Sequence, residues 1–221
     1  YNQVEYGIYT NKDYGNVKGY TFSFTKRYDP VSKTSAFVDY TYQVTEGNSV
    51  NSGSFYYNAL SGEQEEKRIV PLAWDQRHIL NTNVSVGDPR NWNVGVISKL
   101  SSGWPYTPNV PDANYVPQPN SGRKPWQWRV DMRVHKNFKI GNFNYLLFMK
   151  VYNLLDRRNE RYVFNDTGRA GYTYVYQSTQ ETQGFKNHYG EAGVHEWSEY
   201  QVRPQYYTSP RSINIGFSVD F

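Results

Sequence analysis

Four charged residues near the middle of the chain have a spacing that could form a binding surface. Arg129, Asp131 and Arg133 alternate with apolar residues, so they share one face of a predicted strand. Lys150 has the same kind of position on the next predicted strand. Such a row can pair with charged groups of a partner, or it can simply form a solvated wall. No dry protein core would accept this face.

Aromatic residues in two predicted loops form a second candidate set. They could line a vestibule for a ligand, whereas the plainer interpretation, which the pattern favours, is loop packing and an aromatic belt at a membrane interface. The residues are Trp104, Tyr106, Tyr172, Tyr174 and Tyr176.

Residues suited to metal binding or catalysis lack the spacing that either function needs. His188 and His195, with Glu191 and Glu196 nearby, are seven positions apart, which fits neither a helical zinc motif nor one face of a strand. The chain has no cysteine, and it contains no nucleophile elbow, phosphate loop or paired-carboxylate motif. We therefore predict no enzyme activity, no metal and no cofactor.

The final strand is the clearest of the elements that position these residues. Its apolar side chains alternate with polar ones up to the last residue, which gives one apolar and one polar face. The apolar face must meet hydrocarbon or a packed core, and the polar face must meet water or a polar interior. We expect the apolar side chains to face a membrane, and they are Ile213, Ile215, Phe217, Val219 and Phe221.

Composition narrows the protein class. Aromatic residues make up 18% of the 221 residues, whereas the mean hydropathy is only -0.82. A helical membrane protein is excluded because no run approaches about 18 consecutive apolar residues. A β-barrel fits, since half of each strand faces a wet lumen. The net charge of +4 is scattered and forms no stripe, so we expect no nucleic acid partner.

The same alternation predicts seven further strands, and the connections between the strands alternate in length. Short connections follow the second, fourth and sixth strands, and long ones span 46–76, 101–125 and 154–209. This asymmetry is typical of outer-membrane barrels, and strands of about ten residues can cross a bilayer at a tilt. The seven strands are Val4–Ile8, Lys18–Lys26, Ser35–Thr45, Ile79–Val86, Trp92–Leu100, Trp128–His135 and Phe143–Tyr152.

Several local motifs accompany these strands in a fixed order. They are GNVKGY at 15–20, WDQRH at 74–78, SGWPYTP at 102–108, RVDMR at 129–133 with KNF at 136–138, VYNLLDRR at 151–158 and PR at 210–211. Together they resemble the C-terminal part of TonB-dependent outer-membrane transporters of the type found in the Bacteroidota.

This resemblance implies an all-β fold, an antiparallel transmembrane β-barrel in which residues 1–221 supply about the last eight of 22 strands. The plug domain and the earlier strands would belong to a longer chain, and no signal peptide is visible at the start of this one. The implied function is active transport of a nutrient, which could be a ferric chelate, a glycan, a peptide or a vitamin.

The resemblance also implies the cellular partners. They are outer-membrane lipid, a TonB-type energy-coupling complex acting through the plug, the barrel-assembly machinery that reads the final strand, and, as a further candidate, a surface lipoprotein. Arg129, Asp131, Arg133 and Lys150 would face the lumen or the plug.

Two other interpretations remain open from the sequence. The chain could be a complete eight-stranded outer-membrane barrel that serves as an adhesin or anchor, with side chains filling its interior. It could also be a soluble glycan-binding β-domain.

Overall fold

A computed structural model of the protein describes residues 13–48, 68–109, 117–174 and 203–220. The fold is all-β and antiparallel, as predicted, and the described residues contain only one short 3-10 helix, Pro204–Tyr206. No described helix has the length and apolar character needed to span a membrane.

Seven long strands form one sheet, and three short strands lie beside it. The strands are β1 (Gly15–Asp29), β2 (Thr34–Gly47), β3 (Val70–Pro71), β4 (His78–Asp88), β5 (Trp92–Ser101), β6 (Pro105–Tyr106), β7 (Gly122–Arg123), β8 (Gln127–Ile140), β9 (Phe143–Tyr152) and β10 (Ser212–Asp220). The sheet order is β1-β2-β4-β5-β8-β9-β10, with β3 paired to β2, and β6 and β7 pair separately. Within the described residues the sheet is open, with β1 and β10 at its edges.

The seven long strands coincide with the second to eighth predicted strands and extend several of them. The alternation of short and long connections is confirmed, since four, three and two residues join β1 to β2, β4 to β5 and β8 to β9. The first predicted strand, Val4–Ile8, lies outside the described residues. The proline-rich connection after β5 contributes only β6 and β7, which stay outside the main sheet, because proline cannot donate to a ladder.

Each short connection has a local chemical cause. Asp29 accepts hydrogen bonds from the backbone N–H groups of Val31 and Ser32, both at 3.1 Å. Asp88 accepts one from the N–H of Arg90 at 2.9 Å. Gly141 has a φ of 61° in a two-residue turn, where glycine at the first position of a type II′ hairpin is favoured. These turns fix the register of the three hairpins.

The sheet is one layer in the described part of the chain. The substantial contacts between described elements all join neighbours in the sheet or the small β6–β7 pair. The buried apolar residues of this part are few, and two of them, Val130 and Val151, lie on the sheet towards the end where the long connections emerge, called the loop end below. Within the described residues no central hydrophobic core explains the strand pattern, so we look for its cause in what the two faces of the sheet meet.

Candidate functional site

The strand register gathers most apolar side chains of the seven long strands on one side of the sheet, called the apolar face below. The exceptions on the other side include Phe37, Ile97, Leu146 and Phe148. Directly paired residues share a face, and the pairing runs unbroken across the sheet. One such row is Phe22, Tyr40, Leu80, Leu100 and Trp128, and a second is Val86, Val94, Val134, Met149 and Ile215. The alternation of apolar and polar residues along each strand therefore gives the whole sheet one mainly apolar face and one mainly polar face.

The predicted membrane-facing residues of β10 belong to this apolar face. Ile213, Ile215, Phe217 and Val219 pair with Val151, Met149, Leu147 and Tyr145 of β9. The side chains of Ile215 and Phe217 are 72% and 76% exposed. Phe221 lies outside the described residues.

Aromatic rings collect on the apolar face towards the loop end. His78 stacks on Trp126 with ring centroids 5.5 Å apart and contacts Tyr42 at 5.2 Å. Tyr42 in turn contacts Tyr20 at 5.4 Å, and the Tyr40 hydroxyl lies 2.8 Å from Nδ1 of His78. The result is a row of amphipathic rings, of the kind that gathers where hydrocarbon gives way to water.

Two lysines interrupt the apolar face near the short turns. Lys26 Nζ donates to Ser32 Oγ at 3.1 Å, and Lys136 Nζ donates to Asn91 Oδ1 at 2.5 Å. Both ammonium groups therefore reach hydrogen-bond partners in the turns.

The four charged candidates share the opposite side of the sheet, called the polar face below. Arg133 of β8 pairs directly with Lys150 of β9. Arg129 and Asp131 form an ion pair in which Arg129 Nε lies 2.9 and 3.0 Å from the two carboxylate oxygens. Asp131 Oδ1 also accepts the N–H of Asn153 at 2.8 Å. The structure thus places all four residues on one face, as predicted.

The loop aromatics divide into separate groups. Tyr172 and Tyr174 meet edge to face with centroids 5.7 Å apart. Tyr106 lies in β6 against Gly122 and Gly168, where an added Cβ would collide with its ring. Burial raises the pKa of Tyr106, and Asp166 adds to the shift. Trp104 is partly exposed without a ring contact to the other described candidates, and Tyr176 lies outside the described residues.

A buried carboxylate joins the loops and is the feature that sequence reasoning missed. Asp75 is fully buried and accepts the N–H of Thr45 at 2.8 Å and Nε of Arg77 at 2.9 Å. Arg123 donates to its carboxylate and to its backbone carbonyl. Burial alone would raise the pKa of Asp75, but the bonds from Arg123 and Arg77 outweigh it and hold the pKa below its usual value. The only sequence signal was the WDQRH motif, which identified no partner.

A second polar cluster ends β9. Asn153 has a φ of 54°, and its side-chain amide donates to the carbonyls of Arg157 and Ser209 at 3.1 and 3.0 Å. Asn159 exchanges two hydrogen bonds with the backbone of Trp128, at 2.9 and 3.0 Å. These amides pair backbone groups at the loop end, so they give the VYNLLDRR motif a structural role.

The predicted absence of a metal site is not tested by the structure. His188, Glu191, His195 and Glu196 lie outside the described residues. In the described ranges no group of three or more His, Asp or Glu residues is placed to hold a metal ion.

Comparison of the chain with protein-family models, with curated proteins and with solved structures gives no match.

Proposed function

We propose that this chain forms part of the β-barrel wall of a TonB-dependent outer-membrane transporter. In this proposal the apolar face contacts lipid and the polar face lines the lumen. The observation that carries the proposal is the apolar face, which runs across the seven long strands and exposes large apolar side chains on β1, β4, β9 and β10.

The size of the apolar face argues for lipid. Seven strands about 4.8 Å apart, each with about nine residues at 3.4 Å, cover roughly 900 Å². Soluble monomers rarely expose a contiguous apolar patch beyond a few hundred Å². Phe22, Ile215 and Phe217 are each more than 60% exposed, and in water each would forgo roughly 1.5–3 kcal/mol of burial.

The height of the face also suits a bilayer. On β8 the apolar face runs from Trp128 to Phe138, ten steps of about 3.4 Å, or roughly 34 Å. A strand tilt of about 40° reduces this to about 26 Å along the membrane normal, close to the apolar band of roughly 25 Å in such barrels. Trp92 and Phe138 lie near the short turns, and the rings around His78 lie near the loop end. Aromatic rings therefore flank the apolar face at both ends of the strands.

Transport itself is proposed from the sequence motifs. The chain would supply the C-terminal strands of a 22-stranded barrel, and an N-terminal plug would couple it to the energy-transducing complex. The long connections would face the cell exterior, where Tyr172 and Tyr174 could meet a nutrient.

Single-cysteine spin labels test the orientation of the sheet. The chain has no native cysteine, so labels at Ile215 and Phe217 can be compared with matched labels at Asn214 and Ser218 in outer membranes. We expect collisions with oxygen to dominate at the first two positions and collisions with a water-soluble nickel chelate to dominate at the other two. Equal accessibility on both faces would refute the membrane assignment.

Two further measurements test the transporter assignment. The coding region upstream of Tyr1 should encode a plug domain, and uptake should stop when the TonB-type partner is deleted. A full-length protein that carries only eight strands and closes by itself would favour the adhesin or anchor instead. Recovery of the native protein in the soluble fraction would favour a glycan-binding domain.

A further inference from the structure

Three cationic side chains come together at the loop end, beside the apolar face. Lys124 Nζ donates to the carbonyl of Arg161 at 3.1 Å, and Arg157 Nη2 donates to the carbonyl of Trp126 at 3.2 Å. These two hydrogen bonds hold the segments 124–126 and 157–161 against each other. The cations Lys124, Arg157 and Arg161, called the cationic cluster below, therefore lie on two segments that are distant in sequence but adjacent in the structure.

The cationic cluster lacks a carboxylate partner. None of the ion pairs in the described part of the chain includes one of its three side chains. Glu160, which precedes Arg161, is bound by Nε and Nη2 of Arg169. Asp156 forms no ion pair there and instead accepts the N–H of Arg211 at 2.8 Å. No described carboxylate therefore neutralises the cluster.

Lys124 shows the cost of this arrangement. Its side chain is half-buried, and burial lowers its pKa. An ammonium group has three N–H donors, of which the carbonyl of Arg161 accepts one, and no other described residue accepts a hydrogen bond from Nζ. A half-buried charge is stabilised when it is paired and hydrogen-bonded. An anion that accepts the remaining donors would therefore offset the burial of Lys124.

Two exposed aromatic rings lie with these cations. Tyr162 is 50% exposed and Trp126 is 48% exposed. The centroid of the Tyr162 ring lies 5.9 Å from Lys124 Nζ and 5.4 Å from the guanidinium carbon of Arg161. Trp126 stacks on His78, which belongs to the row of rings on the apolar face. The cationic cluster therefore adjoins that row at the loop end.

This position favours a lipid over a soluble anion. In the proposed orientation the row of rings lies where hydrocarbon gives way to water, which is also the level of the lipid head groups. Phosphate oxygens accept short, charge-assisted hydrogen bonds from arginine and lysine. A lipid can place its acyl chains on the apolar face while its phosphate meets the cationic cluster, whereas a soluble anion would make only the second contact.

We infer that the cationic cluster binds the phosphate of an anionic lipid head group in the leaflet next to the long connections. Lys124 and Arg161 donate to the phosphate oxygens, and the acyl chains lie against the apolar face. This inference rests on the proposed function, because it needs lipid at that face. It adds a specific site for one class of lipid to a surface that otherwise needs only hydrocarbon.

Native mass spectrometry tests the inference on the full-length protein, extracted from its own outer membrane in mild detergent. We expect a phosphate-bearing lipid to stay bound and to resist a large excess of inorganic phosphate. Lys124→Gln/Arg161→Gln should lower the retained lipid by about 25-fold, since each cation near a lipid surface contributes about fivefold. Lys124→Arg/Arg161→Lys keeps both charges and should retain most of the lipid.

Arg90→Gln/Lys139→Gln is the matched control. It removes the same two types of side chain near the short turns, at the opposite end of the strands. It should leave the retained lipid unchanged. Outer-membrane levels and heat-modifiability of every variant are measured in parallel, so that loss of the lipid can be separated from loss of folding.

Photocrosslinking tests the same site without any charge variant. A photoreactive phenylalanine at Tyr162 should form an adduct with a phosphate-bearing lipid, whereas the same group at Tyr174, an exposed ring in the same connection, should not. Absence of a retained phosphate-bearing lipid, its displacement by inorganic phosphate, equal retention in the two Gln double variants, or no lipid adduct at Tyr162 would each overturn the inference. Spin labels that report lipid at Ile215, with no such lipid at Tyr162, would refute this inference alone and leave the proposed function standing.

Discussion

A lysine at Phe217 should damage the protein far more than a lysine at the next position. Phe217 lies on the apolar face, pairs with Leu147 and is one residue from Gly216, the centre of β10. One step of about 3.4 Å along a strand tilted by about 40° places it roughly 3 Å from the middle of the band. A lysine near the bilayer midplane costs roughly 2–4 kcal/mol, which lowers the ratio of folded to unfolded protein by about 30-fold to 800-fold.

Ser218→Lys is the matched control, because Ser218 pairs with Leu146 and lies on the polar face. We expect this variant to lose much less stability, since its ammonium group can reach water. Urea unfolding of the full-length protein in lipid vesicles gives the free energies, and heat-modifiability on gels reports the folded fraction. Equal tolerance of lysine at positions 217 and 218 would refute the assignment of the two faces.

Three further predictions concern the loop end. Asp75→Asn should destabilise the protein by about 2–4 kcal/mol in urea unfolding, because it leaves Arg77 and Arg123 without their buried carboxylate. Glu46→Gln is the control, because Glu46 forms only a long, partly exposed ion pair with Arg77, at 3.9 Å; it should cost under about 1 kcal/mol. The lowered pKa of Asp75 means that its contribution is complete above the ordinary value of 3.8 and is lost as the pH falls through the folded-state value, so an acid titration of stability below pH 4 should be steeper in the native protein than in Asp75→Asn. Asn153→Ala should cost about 2–3 kcal/mol in the same unfolding assay, and Asn153→Gly should recover about 1 kcal/mol of it because glycine accepts the positive φ; equal losses would contradict this account.

The strands could be predicted because their cause is local and repeats every two residues. A run such as Phe143–Tyr152 shows its two faces without knowledge of its neighbours, and the structure places it accordingly. The short connection between the predicted strands Trp128–His135 and Phe143–Tyr152 was equally visible, and the structure shows its backbone cause at Gly141, whose φ is 61°. Strand ends were less exact, since pairing with a neighbouring strand extends β1 and β8 beyond their regular alternation.

The loop contacts could not be predicted because their partners are far apart in sequence. Asp75 meets Thr45 and Arg123, which lie 30 and 48 positions away, and no periodicity reports such a meeting. The charged set shows the same limit. The alternation predicted one face for Arg129, Asp131 and Arg133, whereas the direct pairing of Arg133 with Lys150 depended on the register between two strands.

The alternation of short and long connections also divides the long strands into three hairpins and the single strand β10, because forming a hairpin costs less chain entropy than joining the hairpins to one another. Closing the two-residue turn between β8 and β9 orders almost no intervening chain, whereas 59 residues separate β9 from β10. In a flexible-loop description the longer closure costs about 3 kcal/mol more entropy, since each doubling of length adds about 0.6 kcal/mol. The strands within each of the hairpins β1–β2, β4–β5 and β8–β9 can therefore pair at a low cost in chain entropy. Association of one hairpin with the next requires closure of a long connection, which costs more. The lengths of these connections therefore determine how quickly the complete sheet forms.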